Sequence, residues 1–283
     1  KGPTKTIEQR TYTKNHKLIL ENLKENTKYE VKIYSTNGKK KEKEIIEKIE
    51  ISEGQKIGIV GHTGSGKSQL LYDIEKLAFG ETKTGRTILI NDKKTDKILK
   101  IDPTKKIIGY LTQHMNFMTD TTVHNFLKTH IETRGKHRTK EETEKLIRKV
   151  IDDANTITGE QIKEHTNLLI LSGGQSRALM VADLAYISES PIILIDEIEN
   201  AGIDRKRALQ LLVGQEKVVL MATHDPILAL MADQRIVIKN GGIHKVLQTT
   251  EEEKSMLIAL EEADKKLQSL RMRLRAGEVL HNI

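Results

Sequence analysis

A chain of 283 residues can bury a sizeable core, as one large domain or two small ones. Its apolar fraction of 37% and charged fraction of 31% exclude a disordered chain, and with 3% aromatics the interior has to be built from Ile, Leu and Val. The net charge of +7 permits an acidic partner, but the signs alternate in "KKKEKEIIEKIE" and "KEETEKLIRK", which describes a solvated surface.

Nucleic acid is not expected as a partner, because no aromatic residues interleave with the basic ones to stack on bases. The chain has no cysteine, hence no disulfide framework and no thiolate metal site. Its longest apolar run, "SPIILID", has the length of a buried strand and falls far short of the roughly 20 residues that span a bilayer. The first residues, "KGPTKTIEQR", are followed by no apolar stretch of the secretory kind. The expected site of action is cytoplasmic, with any membrane contact made through a partner.

In chain order, residues 1–28 form a polar N-terminal extension. "YEVKIYST" alternates as a strand does, and "IGIV" at 57–60, "TILI" at 87–90, "IIGYL" at 107–111, "IILI" at 192–195 and "VVLMA" at 218–222 read as further strands. Several of these are continuously apolar, which suits a sheet covered on both faces and gives the class α/β. Between them, "KEETEKLIRKVIDDA" carries Leu146, Ile147, Val150, Ile151 and Ala154 as one apolar stripe. That charged, helically spaced stretch predicts an inserted helical subdomain over 113–176, dividing a core of 29–112 and 177–247. "KNGGIHKVLQ" reads as a late hairpin. The tail, 248–283, carries Met256, Leu260, Ala263, Leu267, Leu270 and Leu274 at alternating spacings of four and three, a heptad seam. It predicts either a helix packed back on its own domain or a contact with a partner.

The stretch "GHTGSGKS" comprises Gly61, His62, Thr63, Gly64, Ser65, Gly66, Lys67 and Ser68, directly after one apolar strand and before the helical "SQLLYDIEKL". In that context it is a phosphate-binding loop: the glycines let backbone N–H groups curl around a β-phosphate, Lys67 bridges β- and γ-oxygens, and the Ser68 hydroxyl coordinates Mg²⁺. Gln69 follows in the helix and belongs to the same nucleotide set. "IILIDE" ends a buried strand in Asp196, placed to hold Mg²⁺, and Glu197, placed to polarise a water in line with the γ-phosphate. "LSGGQ", with Ser172, Gly173, Gly174 and Gln175, leaves unpaired N–H groups and the positive end of a dipole at a helix start, which attract an anion. The other histidines of the insert, His114, His124, His130 and His137, show no ligand spacing.

With "IIGYLTQ" ending in Gln113, "NAGID" containing Asp204 and "ATHD" containing His224, these motifs stand in the order of the ATP-binding cassette family, which the chain resembles from about Val31 to Leu247. The resemblance implies a P-loop NTPase core with a mixed, mostly parallel sheet, flanking helices, an antiparallel edge and a helical insert. It also implies a head-to-tail dimer in which the Ser-Gly-Gly turn of one copy covers the ATP of the other. Gln113 would then contact Mg²⁺ and the attacking water, Glu197 act as general base, and His224 touch the γ-phosphate. Ser172, Gly174 and Gln175 would cap the partner's ATP, with Asp204 communicating across the interface. Tyr34 is the residue chosen to stack on adenine, with Tyr29 as the alternative.

Ile198 stands where transporter cassettes usually have Pro, and the residues before the Ser-Gly-Gly turn, "TNLLI", are unusually apolar. The expected function is an ATPase that binds MgATP as a dimer and drives a partner: the nucleotide-binding subunit of a membrane transporter, or alternatively a soluble cassette that remodels a protein complex. In the transporter reading, Met115, Phe117 and Met118 line a docking groove, and they suit ordinary packing of the subdomain equally.

Overall fold

The computed structural model describes residues 30–34, 48–94, 106–112, 116–134, 138–197, 203–215 and 217–279. Three short strands, β1 (Val31–Tyr34), β2 (Lys48–Ile51) and β4 (Thr87–Ile90), form an antiparallel sheet in the order β2-β1-β4. The main sheet has six strands in the order β5-β6-β7-β3-β8-β9. They are β3 (Lys56–Val60), β5 (Ile108–Leu111), β6 (Ile192–Asp196), β7 (Val218–Ala222), β8 (Gln234–Lys239) and β9 (Gly242–Gln248). Its pairs are parallel except the β8–β9 hairpin at the edge.

The apolar runs expected as strands form β3 to β7 within a residue of their expected ends, and the late hairpin is β8 and β9. β2 is the strand that the sequence reading misses. Its four residues alternate charge outward with Ile49 and Ile51 inward, and that period of two is hidden inside a longer run of mixed charge.

Both faces of the main sheet are covered. Along β6, Ile193 and Ile195 join one apolar cluster with the helices, while Ile192 and Leu194 join a second with β1, β2 and β4. β7 divides the same way, Val219 and Met221 against Val218 and Leu220. That division explains why these strands are apolar at every position.

The helices are α1 (Lys67–Glu75), α2 (Val123–Thr133), α3 (Lys140–Ile157), α4 (Gly173–Tyr186), α5 (Arg205–Val213), α6 (Pro226–Met231) and α7 (Glu251–Arg275). α3 opens with a capping box, Thr139 with Glu142, which satisfies two N–H groups reciprocally. Its stripe buries Ile147, Val150, Ile151 and Ala154, with Leu146 packed at the margin. α4 crosses the β5–β6 edge so closely that a Cβ on Gly109 would lie 2.7 Å from Leu184 Cδ2. Phe117 packs edge-on against Phe126, ring centroids 5.0 Å apart, whereas Met118 is 94% exposed.

α7 is held differently. None of its residues belongs to either apolar cluster. It lies beside α6 and is tied by Glu253 to Arg235 at 2.5 Å, Asp264 to Arg205 at 2.7 Å and Glu261 to Lys206 at 2.7 Å. Of the heptad residues, Met256, Leu267 and Leu274 are more than half exposed. The helix therefore docks through charge, while along its seam Met256, Ala263, Leu267 and Leu274 are exposed and Leu260 and Leu270 half-buried.

Candidate functional site

Parallel pairing decides which loops meet. β7 lies between β6 and β3, with Asp196 opposite Ala222 and Ala222 opposite Ile59. The loops that follow these strands, the one starting at Gly61, the Asp196–Glu197 pair and Thr223–His224, therefore emerge side by side from one edge of the sheet. Two hydrogen bonds continue the ladder past the strands: Thr223 N–H donates to Ile59 O at 3.1 Å, and Glu197 N–H to Ala222 O at 3.0 Å. Carboxyl ends of parallel strands are where open α/β sheets bind ligands.

The glycine-rich loop winds tightly before α1. Gly61 has φ of 155°, and a Cβ there would meet Ile238 O at 2.4 Å and Ser65 Oγ at 2.6 Å. Gly66 caps α1 in the left-handed region with φ of 107°, which only glycine adopts without strain. Lys67 is buried, and its ammonium donates to the carbonyls of Gly61 at 2.9 Å and His62 at 3.3 Å. Ser65 Oγ is buried with no hydrogen-bond partner, the one such side-chain atom among the described residues. An orphaned hydroxyl, a lysine parked on carbonyls and the free N–H groups of a helix start are a donor set that suits an oxyanion. His62, Thr63, Gly64 and Ser68 are exposed around it, and Gln69 donates to Asp73 at 3.1 Å.

Asp196 is half-buried, and the Tyr110 hydroxyl donates to its carboxylate over a long 3.4 Å. Burial, together with the negative charges of Asp196 and Glu75, holds the Tyr110 phenol well above its ordinary pKa, so it remains a donor. Tyr110 is absent from the sequence-expected set. Nothing in "IIGYLTQ" marks it, and only the pairing of β5 with β6 brings it to the acidic tip. Glu197 holds φ of 51°, a left-handed backbone costly for a side chain of this length. His224 is exposed, next to Thr223 and Asp225, which are buried. Asp225 caps α6 and pairs with Arg205, the first residue of α5.

The remaining expected residues make their hydrogen bonds elsewhere. Ser172 caps α4: its hydroxyl accepts from Gln175 N–H at 3.2 Å, and Gln175 Oε1 accepts from Ser172 N–H at 2.9 Å. Gln175 Nε2 donates to Gln161 O at 3.0 Å. Gly173 is exposed. Among the described residues, no hydrogen bond joins this turn to 61–69. Asp204 caps α5 by accepting from Arg207 N–H. Tyr34 ends β1 opposite Thr87 and Lys48, in the other sheet. Gln113, Tyr29 and Ile198 lie outside the described residues.

A family model for ABC transporters matches residues 47–200. A protein of Methanocaldococcus jannaschii, described as an uncharacterised ABC transporter ATP-binding protein, is 51% identical over 247 residues, or 87% of this chain and 92% of its own length. The lipoprotein-releasing system ATP-binding protein LolD of Protochlamydia amoebophila is 25% identical over 70% of this chain and 86% of its own. Among solved structures, the dimeric post-hydrolysis state of an ATP-binding cassette bound to ADP and Pi superposes with a TM-score of 0.60 at 24% identity, over 78% of this chain and 99% of that one. No helix among the described residues is long and apolar enough to cross a membrane. With a match over more than half its length and a relative sharing every second residue, the chain belongs to the ABC transporter family, among its ATP-binding and ATP-hydrolysing proteins.

Proposed function

We propose that this ABC ATPase binds MgATP on residues 61–69, hydrolyses it between two head-to-tail copies, and serves as the nucleotide-binding subunit of a membrane transporter. One observation carries the reading. The glycine loop, Asp196–Glu197 and Thr223–His224 share one sheet edge, while the anion-attracting turn at Ser172 makes its hydrogen bonds in the helical half. A helix start suited to phosphate but separate from its own nucleotide edge is what a composite site between two copies requires. The dimeric neighbour supports the pairing, and the lipoprotein-releasing relative supports a membrane partner.

Bound MgATP supplies the phosphoanhydride bond to be cleaved and a cation that offsets its charge. In this reading Lys67 exchanges the carbonyls of Gly61 and His62 for phosphate oxygens, and Ser65 Oγ gains the partner it lacks. Ser68, Asp196 and Gln113 hold the cation, with Tyr110 orienting the Asp196 carboxylate. Glu197 accepts a proton from the water that attacks the γ-phosphorus, His224 donates to the γ-oxygens, and ADP leaves as the P–O bond breaks. Ser172, Gly173, Gly174 and Gln175 of the second copy close over the phosphates, and Asp204 lies on the path between the two sites. Tyr34 stacks on adenine.

The test is complementation. Ser172→Arg and Lys67→Ala are each expected to be inactive as pure dimers. A mixture is expected to recover part of the activity, because in a mixed dimer both lesions fall in the same composite site and leave the other whole. No recovery in verified mixed dimers overturns the composite site, and full turnover by a monomer overturns the dimer.

A further inference from the structure

The most deeply buried ion pair among the described residues joins Arg86, 1% exposed, to Asp73, 0% exposed. Asp73 sits on α1, two turns after the glycine loop, and Arg86 immediately precedes β4. Each partner makes a further contact toward the loop. Asp73 Oδ1 accepts from Gln69 Nε2 at 3.1 Å, and Oδ2 accepts from both Arg86 and the Thr84 hydroxyl at 2.8 Å. The second arm of the guanidinium donates to Gly241 O at 2.7 Å.

Gly241 lies in the β8–β9 turn and is the link. Its N–H donates to Ser65 O at 2.8 Å, and a Cβ on Gly66 would stand 3.1 Å from its Cα. The turn is left-handed at two successive residues, Asn240 with φ of 50° and Gly241 with φ of 83°, the Asn-Gly turn that a two-residue hairpin favours, so it is rigid in itself. Arg86 ties that rigid turn to α1. A buried pair of this kind adds little stability beyond what apolar residues of equal volume give, since desolvation offsets the attraction. Its geometry is the informative part: one planar fork fixes the spacing between α1 and the turn that carries the Ser65–Gly66 peptide.

We propose that Arg86, clamped by Asp73, is a positioning residue for the nucleotide-binding loop: it sets the shape of Ser65–Lys67 through Gly241. The proposal rests on the reading of 61–69 as the MgATP site, but its mechanical half does not depend on what the loop binds. Two variants test it. Arg86→Lys keeps a cation for Asp73 and loses the fork. The double variant Asp73→Leu with Arg86→Met removes both charges, leaves none buried alone, and is expected to melt within a few degrees of the parent.

Without nucleotide, amide hydrogen exchange at Gly241 and across 64–67 is expected to quicken about tenfold in both variants. With MgATP, KM is expected to rise about tenfold while kcat stays within about twofold, because the loop meets the phosphates alike in ground and transition states. Parental exchange rates in either folded variant overturn the coupling, and faster exchange with an unchanged KM overturns its relevance to nucleotide. A parent that neither binds nor hydrolyses MgATP overturns the function proposed for the loop, while the exchange measurement still decides whether Arg86 holds it.

Discussion

Glu197 and Ala222 are joined across the end of the sheet: the Glu197 N–H donates to the Ala222 carbonyl at 3.0 Å. That bond holds the glutamate at φ of 51°, a conformation its side chain disfavours by about 1 kcal/mol or more. Strain at the tip of a strand persists where the surrounding structure over-determines it. Glu197→Gln keeps the shape and the backbone and removes the carboxylate proposed as the base. ATP hydrolysis is expected to fall on the order of 100- to 10,000-fold, with an ATP-dependent dimer accumulating on size exclusion and the melting temperature unchanged. Parental turnover would move the base to another residue.

Gly61→Ala tests the close winding of the loop. Its Cβ would lie 2.4 Å from Ile238 O, a backbone atom that cannot step aside without displacing β8. The expected result is a loss of about 1–3 kcal/mol of stability by thermal or denaturant unfolding, with nucleotide binding abolished. Gly64→Ala makes a useful contrast: nothing lies within 4 Å of its Cβ, and only its φ of 76° opposes it, so it is expected to cost about 1 kcal/mol.

Lys217 carries a pH signature. Its ammonium is buried at the end of α4, donating to the carbonyls of Leu184 and of Ser188, the latter at 2.7 Å. Burial pushes its pKa from 10.5 to about 8, with Arg134 lowering it further and Asp183 and Glu189 opposing. Between those values the unfolded chain binds the proton and the folded chain does not, so this group's contribution to stability rises with pH through that window. The penalty for burying the charge is complete below about pH 8. In Lys217→Met the window disappears. The unfolding free energy of the parent relative to this variant is expected to climb by up to about 3 kcal/mol from pH 8 to 10.5, and a flat difference would show that the amine stays charged.

Deleting α7 from Glu251 onward is expected to leave the rest folded. None of its side chains belongs to the two apolar clusters, and the partly exposed ion pairs to Arg235, Arg205 and Lys206 are worth about 0–1 kcal/mol each. The melting temperature should fall by only a few degrees. Collapse of the truncated protein would mean that the helix contributes to the core.

The glycine loop, the acidic pair and the helix start after Ser-Gly-Gly were legible in the sequence because each is a local device: a tight turn needs glycines at fixed places and a buried strand needs an apolar run. The reciprocal cap between Ser172 and Gln175 was not read there, and it occupies two of the N–H groups that the sequence reading left unpaired. Neighbouring chemistry is recorded within a few positions, so spacing reveals it. The heptad spacing of the tail was equally legible, yet only the tertiary structure decided that its seam stays outside the core and that charge ties the helix down.

Residue spacing carries no information about partners far along the chain. Tyr110 reaches Asp196 over 86 residues and Arg86 reaches Gly241 over 155, and neither link leaves a mark in the letters around it. Those contacts exist because β5 pairs with β6 and because the β8–β9 turn folds over α1. Sheet order is settled by which apolar faces can be buried together, a property of the whole core. The sequence by itself determined the local elements, the glycine loop, the acidic strand end and the helix start after Ser-Gly-Gly; the packing of the two sheets decided which of them stand together and what holds them in place.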